Sequence, residues 1–362
     1  MVYLVGDAGD AVRDTPVIAH LKAEVQRRHR SSPVVVAFLG DNIYEHGLHP
    51  PSHEGHATEV KRLEAQIDVV RGTTARGVFV PGNHDWGYSG ERGLAQVERQ
   101  GAYLEAVAAA GVDVTLLPRA GCPGPELLEI GTSLLLMMIE TDLWLRGDGR
   151  AEGEGCRHGS TDEALQAMRA ALYENERTDG REVVVLAHHP LLSGGPHAGY
   201  FDWKDQLFPG TVLWKPLYIP VPFLYPIVRN LGVSSQDLKH GANRRMREEL
   251  GAVFREFPDQ PLIFAGGHEH TLEIYDADLF GVGRALVSGA GSRLSEVTYH
   301  YGARFAAGKA LRELGYMRLE FFEDGRVLLS VITDGTGGCD RPGGSSACPG
   351  QPTVRYWLWL RG

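Results

Sequence analysis

A chain of 362 residues and 39.6 kDa, 43% of it hydrophobic, can bury a large core, as one big two-sheet domain or as two smaller ones. Its 46 acidic and 36 basic side chains give a formal charge of -10, which excludes a nucleic-acid backbone as the main partner because such proteins present a basic surface. No apolar run reaches the length of a membrane-spanning helix.

The chain opens on "MVYLVGDAGD", a strand at Val2 to Val5 running straight into a loop, with no signal peptide visible and room for a leader upstream. The run "VVVAFL", Val34 to Leu39, is rich in valine and too short for an independent helix, so it reads as a strand buried on both faces and ended by Gly40. Similar bursts follow at Val78 to Val80, Leu134 to Ile139, Val183 to Ala187, Leu262 to Ala265 and Ala285 to Val287. Between them lie helix-period segments. One starts at "STDE", where Ser160 and Glu163 form a capping-box pattern ahead of Leu165, Met168 and Leu172; another covers about Asn243 to Phe257. Near the end, "YMRLEFFEDGRVLLSVIT" predicts a hairpin about Asp324-Gly325. Strands alternating with helices predict a layered α/β fold.

The segment from about Ser193 to Lys239 interrupts this order. Six prolines from Pro196 to Pro226 alternate with Trp203, Phe208, Trp214, Tyr218, Phe223 and Tyr225, so a long helix is forbidden while the aromatics need cover. It reads either as an insertion packed on its own domain or as a lid or surface that touches lipid or a partner.

Chemistry gathers where strand-like runs end. "GDAGD" offers Asp7, "GDNIY" offers Asp41 and Tyr44, "PGNHDW" offers Asn83, His84 and Asp85, "VLAHHP" offers His188 and His189, and "GGHEH" offers His268 and His270. Singly each is weak, since a Gly-Asp is often only a turn. Five in series supply carboxylates, imidazoles, an amide oxygen and a phenol, a set suited to transition metals rather than to calcium or a thiolate-bound zinc. A free phenol has a pKa near 10, so a tyrosine that binds as phenolate at neutral pH calls for a very strong Lewis acid. Trivalent iron meets that need.

The series Gly-Asp-x-Gly, Gly-Asp-x-x-Tyr, Gly-Asn-His-Asp, Val-x-x-His and Gly-His-x-His, from Gly6 to His270, resembles the purple acid phosphatases of the calcineurin-like metallophosphoesterase superfamily, in their small, tartrate-resistant form. The resemblance implies a single domain over residues 1–362, with the insertion at about 193–239, built as a four-layer sandwich of two mixed β-sheets flanked by helices. It implies iron(III) held by Asp7, Tyr44 and His270, a second divalent metal (Fe, Zn or Mn) held by Asn83, His188 and His268, and Asp41 bridging the two. His188 is in register with Val185, which leaves His189 aside. His84 and His197, the latter nine residues after His188, resemble the outer-sphere pair that passes protons to the leaving group. Asp85 either orients His84 or caps its own loop. The implied reaction is hydrolysis of a small phosphate monoester by attack of a metal-bound hydroxide. Cleavage of diesters or nucleotide pyrophosphates by the same metals is the alternative, and a non-catalytic, membrane-associated binding protein is a third reading. The loop "EHGLHPPSHEGH", with His46, His49, His53 and His56, has no counterpart and reads as solvent-exposed.

Four cysteines make an even set without a CxxC pair. Cys339 and Cys348 flank a glycine-rich loop that a bridge would order, and Cys122 and Cys156 lie in similar surroundings, so disulfides and an extracytoplasmic location are expected. The oligomeric state is open.

Overall fold

A computed structural model describes every residue except 14, 89, 91–92, 148, 179, 200–233, 259, 261, 299–301, 310–312, 336–350 and 362. Two seven-stranded mixed sheets stack face to face, with helices on both outer faces. The first sheet contains β1 (Val2–Val5), β2 (Val35–Leu39), β3 (Arg76–Val80), β4 (Val114–Leu116), β12 (Gly315–Phe321), β13 (Val327–Thr333) and β14 (Thr353–Arg361), in the order β14-β13-β12-β1-β2-β3-β4. The second contains β5 (Glu126–Ile130), β6 (Leu134–Met138), β7 (Glu182–Leu186), β8 (Ile263–Gly266), β9 (Leu272–Ala277), β10 (Val282–Ser288) and β11 (Ala303–Ala307), in the order β11-β9-β10-β8-β7-β6-β5.

The two-residue period of a strand explains why the buried runs are apolar throughout. Val2, Leu4, Val35, Ala37 and Leu39 point between the sheets, where they meet Leu136, Met138, Val184, Leu186, Ile263 and Ala265. Their neighbours Tyr3, Val5, Val36, Phe38 and Phe79 point outward and are covered by α1 (Pro16–Arg28), α2 (His56–Ile67) and α3 (Gly93–Ala109) through Ile18, Leu21, Leu63, Ile67, Val97 and Leu104. On the opposite side, after the short α4 (Asp142–Arg146), α5 (Thr161–Thr178) and α6 (Gly241–Arg255) cover the second sheet with Leu165, Met168, Leu172, Met246, Leu250 and Phe254. The expected four-layer sandwich is therefore present.

The predicted strands recur within a few residues of their expected bounds, and the hairpin turns at Asp324-Gly325, where Asp324 accepts the Arg326 N–H (3.1 Å) and Gly325 adopts φ +82. The Ser160 hydroxyl accepts the Glu163 N–H as a capping box requires, but the Glu163 carboxylate returns to the N–H of Gly159, one residue earlier. The expected loop through His56 ends at that residue, which begins α2.

Strands β1, β2 and β3 are parallel in one sheet, and β6, β7, β8 and β10 in the other. Their carboxyl ends meet at one end of the sandwich, stitched together by Gly6 N–H to Ser288 C=O (2.7 Å), Asp7 N–H to Gly40 C=O (2.9 Å) and Gly267 N–H to His188 C=O (2.9 Å). Most of the expected insertion lies outside the described residues. Its two ends are inside them, and Leu238 N–H donates to His197 C=O (2.9 Å), so the segment leaves and returns at the same place.

Cys122 and Cys156 form a disulfide that closes a loop at a sequence separation of 34; Cys339 and Cys348 lie outside the described residues. Closing a loop of that length restricts the unfolded chain. The Cys122→Ser, Cys156→Ser double variant should lose about 2–4 kcal/mol of stability in urea titration, measured against wild type under oxidising conditions. An unchanged midpoint would contradict this role for the bridge.

Candidate metal centre

Every donor singled out in the sequence, from Asp7 to His270, arrives at the joined carboxyl ends of the strands. Asp7 follows β1, Asp41 follows β2 and Asn83 follows β3; His188 follows β7, His268 follows β8, and His270 lies two residues before β9. Asp7, Asp41 and His268 have φ of 57, 53 and 69, a backbone region in which side chains are uncommon. Strain of this kind costs about 1–3 kcal/mol per residue and persists only where the surroundings enforce it. Here they do: Gly40 and Gly82 pass so close to His188 and Asp41 that a Cβ at either would collide with the imidazole or the carboxylate.

The donors fall into two groups. On one side the Tyr44 hydroxyl lies 3.1 Å from Asp7 Oδ1 and 3.0 Å from His270 Nε2. On the other, Asn83 Oδ1 lies 2.9 Å from His188 Nε2 and 3.0 Å from His268 Nδ1, which is itself 3.2 Å from His188 Nε2. Asp41 stands at both groups. Its Oδ1 is 3.4 Å from His188 Nε2, and a potential ligand atom from each of Asp7, Asp41 and His188 falls within 4.8 Å of the other two.

This arrangement fits cations. His188 Nδ1 donates to the Leu39 carbonyl (2.8 Å), which fixes the proton there and turns a lone pair at Nε2 toward the amide oxygen of Asn83. Two acceptors facing at hydrogen-bond distance repel each other unless positive charge lies between them. Asp7 Oδ2 and His268 Nε2 are buried without a hydrogen-bond partner among the described residues. Burial and the neighbouring Asp41 charge push the Asp7 carboxyl well above the usual carboxylate range. Burial also opposes ionisation of Asp41, but the imidazoles of His188 and His84 outweigh it and hold that carboxyl low. Burial drives His268 well down and His270 to about 4, so both present neutral, ligand-ready nitrogens.

His189 belongs elsewhere. It lies near His188 and His268, but its Nδ1 is 2.9 Å from the Thr141 hydroxyl and its Nε2 is 2.5 Å from Gln236 Oε1. His84 donates through Nδ1 to the Glu45 carbonyl (2.8 Å), leaving Nε2 3.7 Å from Asp41 Oδ2. His197 is part-exposed, its ring 4.3 Å from that of His268, and its Nδ1 donates to the buried carboxylate of Asp237 (3.1 Å).

Of the two readings of Asp85, its hydrogen bonds match the loop cap. The carboxylate accepts the N–H groups of Gly82 (2.8 Å), Asn42 and Ile43 (3.1 Å each) and the Asn42 amide (3.0 Å), and the bond that orients His84 comes from Glu45 instead. Sequence reasoning also missed Asp237, Gln236 and Arg293, which lie 40 or more residues along the chain from the side chains they contact, His197, His189 and Tyr44. Glu269 had a signal, as the middle residue of "HEH": its buried carboxylate accepts the His197 N–H (2.9 Å). The loop histidines only partly match the exposed reading, since His49 is part-buried, with its Nδ1 2.7 Å from Glu59.

Neither a family model nor a curated protein matches the chain. Among solved structures it is similar to PhoD, with a TM-score of 0.53 and 12% identity over 99% of this chain and 69% of that one. It is also similar to GAP50, described as the anchor in the inner membrane complex of Plasmodium (TM-score 0.49, 11% identity, 98% of this chain and 87% of that one). A third is the phosphopantetheinyl hydrolase PptH from Mycobacterium tuberculosis (TM-score 0.37, 14% identity, 80% and 89%). At 12% identity the likeness to PhoD is one of fold alone.

The contrast between adjacent histidines gives a test. His188→Ala should lower metal occupancy at least tenfold, whereas His189→Ala should keep wild-type metal content, as read by elemental analysis after dialysis. Loss of metal from His189→Ala alone would show the register to be wrong.

Proposed function

We propose that the chain is a dinuclear-metal phosphoesterase of the purple acid phosphatase type, acting on small phosphate monoesters. In this reading Asp7, Tyr44 and His270 hold iron(III), Asn83, His188 and His268 hold divalent iron, zinc or manganese, and Asp41 serves both. The observation that carries it is the buried phenol of Tyr44 at 3.0–3.1 Å from both His270 and Asp7, opposite a second group of three converging donors. Bound metals would supply Lewis acidity for the phosphate and for an attacking water.

The chain's own residues supply position and protons. Asp41 Oδ1 accepts the His84 N–H (3.0 Å), so the loop that carries Asn83 is locked to the carboxylate shared by the two groups. His84, with Nδ1 committed to Glu45, faces the site through Nε2. Asp237 fixes a His197 proton at Nδ1, which leaves Nε2 as the nitrogen that would pass a proton to a departing alkoxide. The Cys122–Cys156 disulfide supports an extracytoplasmic location.

Protein purified with its metals should be coloured by a phenolate-to-iron charge-transfer band, and Tyr44→Phe should bleach it. A colourless enzyme, fully active with only zinc or manganese, would sink the iron assignment. Initial rates on 4-nitrophenyl phosphate should exceed those on bis(4-nitrophenyl) phosphate, and the reverse order would favour the diesterase alternative.

The role given to Asp237 makes a separate prediction. Asp237→Asn should cost roughly 10²-fold or more in kcat on phenyl phosphate, whose leaving group needs a proton, and much less on 4-nitrophenyl phosphate. Equal losses on the two esters would refute proton delivery through His197.

A further inference from the structure

Arg293 lies in the loop after β10, far in sequence from every donor on the iron(III) side except His270, yet its guanidinium carbon sits 3.7 Å from the centre of the Tyr44 ring. Two carboxylates fix that position: Nε donates to Asp10 Oδ2 (2.6 Å) and Nη2 to Glu45. Arg62 completes the frame, reaching Asp10 Oδ1 at 2.8 Å and the Tyr44 carbonyl at 2.6 Å. The ring is thus held from its backbone by one arginine and capped on its face by another, while the edge-on imidazole of His84 packs 4.5 Å away.

A cation over an aromatic face is attracted by the ring's electrons, and a ring bearing negative charge attracts it more strongly. The guanidinium is planar, permanently charged and weakly hydrated, which suits it to stacking in a way an ammonium is not. With Nε and Nη2 committed to Asp10 and Glu45, the group is clamped in place over the ring. Its charge, though paired with Asp10 and Glu45, is thereby held 3.7 Å from the centre of the Tyr44 ring.

We propose that Arg293 is a positioning and tuning residue for the metal centre: its clamped guanidinium stabilises negative charge on the Tyr44 ring and so lowers the energy of the electrons that the phenolate shares with iron(III). This rests on the iron-phenolate reading above and adds to it a residue that is none of the proposed metal donors. A positive charge nearer the ring than the metal lowers the donor level more than the acceptor level. The charge-transfer band therefore lies at higher energy than it would without Arg293.

The test uses the full-length, metal-loaded protein and compares wild type with Arg293→Gln, Arg293→Met and Arg293→Lys, with iron content from elemental analysis and folding from near-ultraviolet circular dichroism. The two neutral variants should retain iron and move the visible band to longer wavelength by on the order of 10 nm, while Arg293→Lys, which keeps the charge, should move it less. Loss of iron from both neutral variants but not from Arg293→Lys would also support the charge as the agent. An unmoved band in an iron-containing neutral variant overturns the proposal, as does an equal shift, or equal loss of iron, in all three. A wild-type protein that holds iron without a visible band fails earlier: it removes the phenolate reading and this inference with it.

Discussion

Two carboxylates buried side by side, Asp7 and Asp41, are the constraint on which the rest of this molecule depends. Neither has appreciable access to solvent, and their charges oppose each other. Buried like charges are tolerated only where something positive is supplied, and the neighbours supply it incompletely: His188 and His84 favour ionised Asp41, whereas Asp7 Oδ2 has no partner among the described residues. Around them stand neutral nitrogens, an amide oxygen and a phenol, all able to give electron pairs. The fold has concentrated electron-pair donors around two opposed carboxylates at one point.

That concentration has consequences for the backbone. Donors from five loops meet only if the strand ends meet: Gly6 N–H to Ser288 C=O joins the two sheets, and the bonds at Gly40 and His188 join neighbouring strand ends within each. Close approach removes room for side chains at Gly40 and Gly82, and the left-handed turns at Asp7, Asp41 and His268 aim their side chains inward. Asp85 belongs to this layer of support. Its carboxylate gathers three loop N–H groups from two loops, so the acidic side chain beside His84 acts as a knot that fixes where Asn83 and Asp41 stand.

The two sheets were legible in the sequence because their strands are short, valine-rich and bounded by glycine, and because the donors follow the strands at once. The edge strands were less legible. In β5 the burial alternates between part-buried and exposed, and in β14 Trp357 and Trp359 are exposed, so neither carries the continuous apolar run that marks a central strand. The covering helices α1 and α2 lacked side-chain caps, with α2 entered from Gly55. Within the site, the motifs marked the candidate donors but not what holds them. Glu45, Asp237 and Arg293 act through the folded arrangement, at separations of 39, 40 and 248 residues for the pairs His84–Glu45, His197–Asp237 and Arg293–Glu45, and no local period can encode such pairings.

The long-range partners share one logic. Gln236 and Asp237 return from the far side of the insertion to hold His189 and His197, and Arg293 returns from beyond β10 to cover Tyr44. Each is polar; Gln236 and Asp237 touch imidazoles beside the converging donors, Arg293 covers the ring of the donor Tyr44, and Gln236 and Arg293 are each fixed by a second group. Gln236, for instance, is within 3.5 Å of Asp142 as well as bonded to His189. A site assembled from strand ends alone would have its imidazoles free to rotate and its phenol free to tilt. Distant segments remove those freedoms: the residues that precede α6 tie back to the residues that follow β7, Gln236 to His189 and Asp237 to His197.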